Sequence, residues 1–340
     1  MIHGSLAPVE PVSWQNLLAR SITDPEVLLQ RLGLDPALLG PAMLAHGDFP
    51  LRVPEPYVSR MQRGNARDPL LRQVLPIGEE LAEQPGYIID PLGEQHANAR
   101  PGVIHKYAGR LLLIVSAGCA VNCRYCFRRH FPYADNSLST EQWQEALNYI
   151  RQDESLREVI YSGGDPLAAN DRRLAWLTRE IAAIKHVRRL RIHSRLPVVI
   201  PQRVTAGLID ALCGTRLPVT MVLHCNHANE IDANMAEAIT ALRGAGITLL
   251  NQAVLLRGVN DSLEDQINLS ESLGDHGILP YYLHVLDRVK GAQHFHVDDS
   301  EAVALVGQMM TRLPGFLVPR LVREIAGEKS KTPLQVTPLP

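Results

Sequence analysis

The sequence predicts an α/β protein in which six parallel strands alternate with helices, behind a helical N-terminal region. Near Arg110 the chain changes from short helical patterns to short β-rich runs separated by longer amphipathic segments. Polar clusters also follow these runs at regular intervals. A helix between two consecutive strands returns the chain to the same end of the sheet, so such strands are parallel, with right-handed connections. The pattern alone does not separate a (β/α)₆ partial barrel from an open sheet.

The chain divides into three predicted parts. Residues 1–100 are rich in proline and in short helical patterns, such as residues 25–32, and lack alternating strands and helices. Residues 101–315 form the strand-and-helix domain, and residues 316–340 form a C-terminal segment. Residues 1–18 have no continuous apolar stretch, which predicts neither a secretory signal nor a transmembrane helix. We expect a cytoplasmic protein with no membrane partner.

The strands are justified by apolar runs that end in polar clusters. Ser139 and Gln142 fit a capping box, and apolar residues from Trp143 to Ile150 follow at helical spacing, which predicts a helix after the first strand. In a βα barrel the active site lies at the carboxyl ends of the strands, where these clusters fall. The predicted strands are residues 111–116, 159–163, 190–194, 219–225, 248–255 and 280–286.

Composition narrows the class of function. With 340 residues, 46% of them apolar and 21% charged, the chain can form one large domain, with or without an appendage. The net charge of −2 gives no broad basic surface, so we expect no nucleic-acid partner. Five cysteines are an odd count that fits a reducing compartment, and we predict that Cys213 and Cys225 are unpaired structural residues.

Cys119, Cys123 and Cys126 form a C-x₃-C-x₂-C array directly after the first strand. Iron–sulfur clusters are normally held by four cysteines, so three thiolates would leave one iron of a [4Fe–4S] cluster open for a substrate or cofactor. A zinc site with His130 as the fourth ligand, or three unrelated core thiols, are the alternatives. The spacing therefore indicates chemistry at iron.

With Tyr125 before the last cysteine, this array resembles the signature of radical S-adenosylmethionine (SAM) enzymes, in which the open iron binds SAM. The resemblance implies a partial (β/α)₆ barrel of the TIM type. It also implies that the segment after the second strand contacts SAM, with glycines allowing close backbone approach. The candidate cofactor contacts are Gly163, Gly164, Asp165, Ser194 and His224.

From residue 69 to residue 331 the chain is similar to lysine 2,3-aminomutases, and most similar to the short bacterial form that makes β-lysine for elongation factor P. Five blocks match in order. They are residues 119–129, 162–165, 194–203, 227–230 and 251–261.

The resemblance implies pyridoxal phosphate (PLP) as a further cofactor, because moving an amino group through a radical needs a π-system on nitrogen. It places the PLP lysine at Lys331 in the C-terminal segment, with Lys329 as the alternative, and a basic contact to the PLP phosphate at Lys106. It places the substrate carboxylate on Arg128, and the remote ammonium on Asp287 and Glu324. Glu324 stands where free-lysine enzymes have Asp.

The implied reaction is the conversion of L-lysine to β-lysine, with (R)-β-lysine as the expected isomer. The implied partners are an electron donor for the cluster, a downstream ligase and elongation factor P, and a homo-oligomer stays open. The alternatives are a glutamate or other amino acid 2,3-aminomutase and a non-catalytic iron–sulfur protein. A glutamate enzyme would need a cation where the chain has Asp287.

Overall fold

The N-terminal part of the chain is helical, as the sequence predicts. The computed structural model describes residues 12–40, 42–136 and 138–336, so most of the segment used for the leader prediction and the last four residues lie outside it. The predicted helix at 25–32 is confirmed: the Asp24 carboxylate accepts from the Glu26 amide at 2.8 Å, and Gly33 ends the helix with φ +67°. The helices here are α1 (Trp14–Ala19), α2 (Pro25–Leu32), α3 (Ala42–Asp48), α4 (Glu55–Val58) and α5 (Pro69–Arg72).

The rest of the described chain forms a ten-stranded sheet in which the strands lie side by side in chain order. The strands are β1 (Asn98–Arg100), β2 (Val103–Tyr107), β3 (Arg110–Ser116), β4 (Glu158–Gly163), β5 (Arg189–Ser194), β6 (Val219–Leu223), β7 (Thr248–Val254), β8 (Leu279–His284), β9 (Arg320–Arg323) and β10 (Thr332–Pro333). Every pairing from β3 to β9 is parallel. The β1–β2, β2–β3 and β9–β10 pairings are antiparallel.

The predicted α/β fold with its parallel strands is confirmed. The six predicted strands correspond to β3 through β8, with ends that differ by at most two residues. In the described chain β1 and β10 are the two edges of the sheet and do not pair with each other, so the sheet is open, as in a partial barrel. Helices connect or follow the parallel strands: α6 (Thr140–Gln152), α7 (Asp171–Ala182), α8 (Leu196–Val199), α9 (Ala206–Cys213), α10 (Ala233–Gly244), α11 (Leu263–Asp275) and α12 (Asp299–Arg312).

Two features of the sheet were not predicted. The β1–β2 hairpin begins inside the region predicted to be helical, and the predicted boundary between residues 100 and 101 falls in its turn. A seventh parallel strand, β9, lies in the predicted C-terminal segment. Within this strand only Leu321 and Val322 are buried. A run this short gives no periodicity to detect. The division into three parts stays a prediction.

The capping box at the start of α6 is confirmed. Ser139 Oγ accepts from the Gln142 amide at 3.3 Å, and the Gln142 side chain accepts from the Ser139 amide at 2.9 Å. Trp143 and Ile150 are among the residues this helix buries. None of the helices in the described residues combines the length and the hydropathy needed to cross a bilayer.

The N-terminal helices pack directly against the loop that carries the three cysteines. The Asn122 amide donates to the Arg52 carbonyl at 3.0 Å, and the Arg124 amide donates to the Gln73 carbonyl at 2.9 Å. These backbone bonds attach the cysteine loop to the N-terminal region. The helical region is therefore part of the scaffold of the site.

Glu80 completes this attachment, and we expect its replacement to destabilise the fold. Its carboxylate accepts from Arg124 Nε at 2.8 Å and from Arg129 Nη2 at 2.9 Å, and all three side chains are buried. Glu80→Gln would leave two buried guanidinium groups without their counter-charge, which costs about 3–5 kcal/mol. Glu55→Gln, which breaks an exposed surface pair with Arg31, should leave the free energy of unfolding nearly unchanged. Urea unfolding of both variants measures the difference, and equal losses would contradict the prediction.

Candidate active site

The carboxyl ends of the parallel strands open into one cavity of about 730 Å³. Every residue that the sequence analysis assigned to a cofactor, a substrate or the cluster lines this cavity. They are Lys106, Cys119, Cys123, Cys126, Arg128, Gly163, Gly164, Asp165, Ser194, His224, Asp287, Glu324 and Lys331. Such convergence is what a site at strand ends requires. The individual roles of these residues stay predictions.

The three cysteines of the array are free and half-buried at the start of the cavity, just after β3. Burial raises the pKa of the Cys119 thiol and of the Cys126 thiol, so without a metal they stay protonated. Coordination to iron would ionise them. Next to them Arg195 Nε is buried and has no partner within the described residues. Three thiols on one cavity, together with a buried N–H group that has no acceptor among the described residues, fit an iron–sulfur cluster, whose sulfides can accept hydrogen bonds.

The alternative of a single zinc ion is not supported by a set of ligands in the described part of the chain. No group of three or more His, Cys, Asp or Glu side chains there is placed to hold one metal ion. His130 is outside the cavity lining that contains the cysteines, and its Nε2 lies 3.2 Å from the Lys290 carbonyl oxygen. The two cysteines outside the array, Cys213 and Cys225, are free, as predicted.

Gly163 and Gly164 are required by close packing of two backbone segments. Gly163 has φ +124°, and a Cβ there would collide with the Ser116 carbonyl oxygen. A Cβ on Gly164 would lie 2.6 Å from the Gly118 carbonyl oxygen. The close approach is therefore to the strand that leads into the cysteine array, and contact with SAM remains a prediction for both glycines.

Asp165 holds the loop after β4 to the end of β5. Its carboxylate accepts from Ser194 Oγ at 2.7 Å and from the amides of Arg195 at 2.8 Å, Leu196 at 2.9 Å and Leu167 at 3.0 Å. Burial raises the pKa of Asp165, while these hydrogen bonds act to lower it. The side chains of Asp165 and Ser194 thus bond each other, and the predicted cofactor contacts of both stay untested.

An alternating chain of charges crosses the cavity wall. Arg128 donates to Glu94 through Nε at 2.6 Å and Nη2 at 2.8 Å, and Lys106 Nζ lies 3.4 Å from Glu94. Lys106 also donates to Glu324 at 3.1 Å, and Lys331 donates to Glu324 at 2.8 Å. Burial acts to raise the pKa of Glu324, but the ammonium groups of Lys331 and Lys106 hold this pKa well below its usual range. Lys106 and Glu324 therefore partner each other in addition to any ligand.

Glu94 was missed by sequence reasoning. It follows a Pro-Leu-Gly stretch in a loop without periodicity, and it has no motif of its own. Its carboxylate is buried against the guanidinium of Arg128. Only the fold shows that this loop reaches the cavity.

Asp287 differs from the other carboxylates of the cavity. In the described residues no hydrogen bond or ion pair involves its carboxylate, although Glu94 and Glu324 each have a cation. Burial, and then the neighbouring carboxylate of Glu324, raise the pKa of Asp287 to about 7. Asp287 therefore gains from any cation that enters the cavity.

Three imidazoles line the same cavity: His284 is buried, and His193 and His224 are half-buried. Burial lowers the pKa of each, so all three are neutral. Their Nε2 atoms and Gln252 Oε1 are buried without a partner among the described residues. Buried polar atoms are normally hydrogen-bonded, so these atoms fit a polar organic ligand in the cavity.

Lys331 and Lys329 are separated by the structure. Lys331 lines the cavity, with Nζ 5.8 Å from the centre of the Tyr282 ring. Lys329 is exposed and lies outside the cavity lining. Of the two candidates, only Lys331 is placed to bond a cofactor in this cavity.

Comparison with known proteins identifies the family. Residues 113–269 match the radical SAM superfamily. The chain is 51% identical to the L-lysine 2,3-aminomutase of Escherichia coli strain K12, over 95% of this chain and 94% of that enzyme. It is 48% identical to that of Haemophilus influenzae, over 96% and 98%. The chain belongs to the radical SAM lysine 2,3-aminomutase family.

As a member of the lysine 2,3-aminomutase family the protein is an isomerase, which sets aside the non-catalytic alternative. Radical SAM membership brings SAM and a [4Fe–4S] cluster as cofactors, and the cysteine array fits that cluster. The lysine 2,3-aminomutase of Clostridium subterminale is 36% identical over 82% of this chain but only 67% of that enzyme. The E. coli and H. influenzae relatives match this chain in length far better.

Proposed function

We propose that this chain converts L-lysine to (R)-β-lysine with PLP as its third cofactor, and that the product modifies elongation factor P. The observation that supports lysine most directly is Asp287, a half-buried carboxylate that has no cation partner among the described residues, in a cavity that also contains the Arg128 guanidinium. Lysine has a carboxylate for one and an ammonium for the other. Glutamate has no side-chain cation to offer Asp287.

PLP, when bound, would supply the π-system on the nitrogen that migrates, and the cluster with SAM would supply hydrogen abstraction. Lys331 would bond PLP, and Glu324 holds its ammonium group at 2.8 Å inside the cavity. The neutral imidazoles of His193, His224 and His284 offer hydrogen bonds without adding charge. The cysteine loop, which the N-terminal region holds through backbone hydrogen bonds to Asn122 and Arg124, would form the wall of the cavity that carries the cluster.

The link to elongation factor P and the R isomer are supported by the resemblance to the short bacterial enzymes. The chain spans 94% to 98% of the lengths of its E. coli and H. influenzae relatives. A ligase that attaches β-lysine would act next, and an external electron donor would reduce the cluster. An assay of β-lysine transfer to purified elongation factor P, with both product isomers compared, tests this part.

The reaction itself is tested by anaerobic incubation of the cluster-loaded protein with L-lysine, SAM, PLP and dithionite, followed by chiral chromatography with mass detection. We expect (R)-β-lysine without net loss of SAM. The S isomer would overturn the stereochemical part alone. If 5′-deoxyadenosine accumulates while lysine is unchanged, and glutamate is converted instead, the substrate assignment is wrong.

The pH dependence of lysine binding follows from Asp287. Its pKa of about 7 means that the carboxylate is ionised above pH 7 and protonated below it, and only the ionised form attracts the lysine ammonium. We expect KM for lysine to rise below pH 7, by up to ~10-fold per pH unit. Asp287→Asn should give a high KM that does not change across this range. The control Asp275→Asn, at an exposed helix end, should keep the wild-type profile.

A further inference from the structure

Arg195 places a positive charge against one of the three cysteines. It directly follows β5, its side chain is buried, and Nη1 lies 2.8 Å from Cys123 Sγ. Throughout the described residues no other guanidinium or ammonium nitrogen forms a hydrogen bond to a sulfur of the array. This contact has no role in the proposed lysine chemistry.

Four neutral or anionic groups fix the Arg195 guanidinium in this position. Nη2 donates to Gln73 Oε1 at 2.8 Å, to Tyr57 Oη at 2.9 Å and to Glu230 Oε2 at 3.1 Å. Nη1 also contacts Tyr125 Oη at 2.5 Å. Three of these partners bind Nη2, so Nη1 stays directed at Tyr125 Oη and at the Cys123 sulfur. The guanidinium is therefore held in one position.

The partners come from two separate parts of the chain. Tyr57 lies in α4 and Gln73 follows α5, both in the N-terminal helical region. Glu230 follows β6 and is completely buried, and its second oxygen accepts from Gln73 Nε2 and from the Asn226 amide, both at 3.1 Å. The helical region therefore helps to hold the charge next to the cluster ligand.

A cationic donor at a ligating sulfur favours the more negative, reduced cluster. Hydrogen bonds to the sulfurs and the net charge around a cluster are the protein's means of setting its reduction potential. Glu230 opposes the effect, because its carboxylate partly cancels the charge of Arg195.

We propose that Arg195 raises the reduction potential of the [4Fe–4S] cluster, and that Glu230, with Tyr57 and Gln73, sets the position and strength of this effect. The cluster takes up one electron from an external reductant, and Arg195 stabilises the added charge without being oxidised or reduced. Arg195 acts on the cluster through the Cys123 sulfur and is not itself a catalytic residue. The inference rests on the cluster that the family carries, and not on lysine as the substrate.

The test is a redox titration of cluster-loaded protein, with dithionite as reductant, EPR detection of the reduced cluster, and iron and sulfide analysis of each sample. In Arg195→Gln we expect the ratio of reduced to oxidised cluster at a fixed potential to fall on the order of tenfold, about 59 mV for a one-electron couple. Arg195→Lys, which keeps the charge, should shift less. Glu230→Gln should shift the midpoint in the opposite direction.

Arg203→Gln is the matched control, because Arg203 is equally buried in the same connection after β5 but donates to the Leu167 carbonyl and pairs with Asp171. Its midpoint should equal that of the wild type. An unchanged midpoint in Arg195→Gln with a full cluster would overturn the proposal. If Arg195→Gln cannot hold a cluster, Glu230→Gln decides, and a Glu230→Gln midpoint equal to or below that of the wild type and of Arg203→Gln would also overturn it. No lysine is present, so failure here leaves the aminomutase proposal unaffected.

Discussion

Replacing Lys331 by alanine is expected to abolish lysine turnover, with a loss of at least roughly 10³-fold, because the variant would lack the amine that we propose bonds PLP. Lys331 Nζ lies inside the cavity against Glu324, and Tyr282 packs beside it. The yellow absorbance of bound PLP should disappear with the activity. Both are measured on anaerobically prepared, cluster-loaded protein.

The matched control is Lys329→Ala, which removes an exposed lysine two positions earlier. It should keep both PLP absorbance and turnover. Borohydride reduction followed by peptide mass spectrometry gives a direct readout, because it fixes PLP covalently to the lysine that bonds it. PLP recovered on Lys329, or full activity of Lys331→Ala, would show that the assignment is wrong.

Replacing Cys126 by alanine should remove the cluster and with it all turnover. Its thiol lies at the cavity next to Arg128, and burial raises its pKa, so nothing but iron coordination keeps the sulfur ionised there. We expect iron and sulfide content to fall to background, and the reduced-cluster EPR signal to be lost. PLP absorbance should remain, because Lys331 is untouched.

Cys213→Ala provides the comparison. Cys213 is a free, half-buried thiol in α9, away from the cavity lining. This variant should hold the same iron as the wild type and keep its activity. If Cys126→Ala retained iron and Cys213→Ala did not, the array would not be the cluster site.

Much of the fold is predictable because its strands are strong apolar runs. Residues 111–116 lie between a turn and the cysteine array, so both ends of β3 can be recognised in the sequence. In contrast β9 has only Leu321 and Val322 to bury, and β10 contains Pro333, a residue that strands rarely tolerate away from edges. These strands form because the sheet already offers an edge to pair with.

The candidate residues were found from motifs, but their mutual contacts were not. Sequence reasoning assigned Lys106 to a phosphate and Glu324 to a substrate ammonium, whereas the structure pairs the two at 3.1 Å. Glu94 and Arg195 had no assigned role, since their significance lies in contacts to Arg128 and Cys123 across 34 and 72 residues of sequence. Local pattern cannot report such distant pairs.

The cavity takes its walls from most of the chain, from Phe49 after α3 to Lys331 beside β10. During synthesis the cysteine loop leaves the ribosome long before Glu324 and Lys331 exist, so the early chain can present thiols but no finished pocket. A group that contacts both the cysteine loop and the C-terminal wall is fully enclosed only after Glu324 and Lys331 have been made and β9 has docked. The order of synthesis thus makes the docking of β9, and of the residues that follow it, the step that completes the cavity.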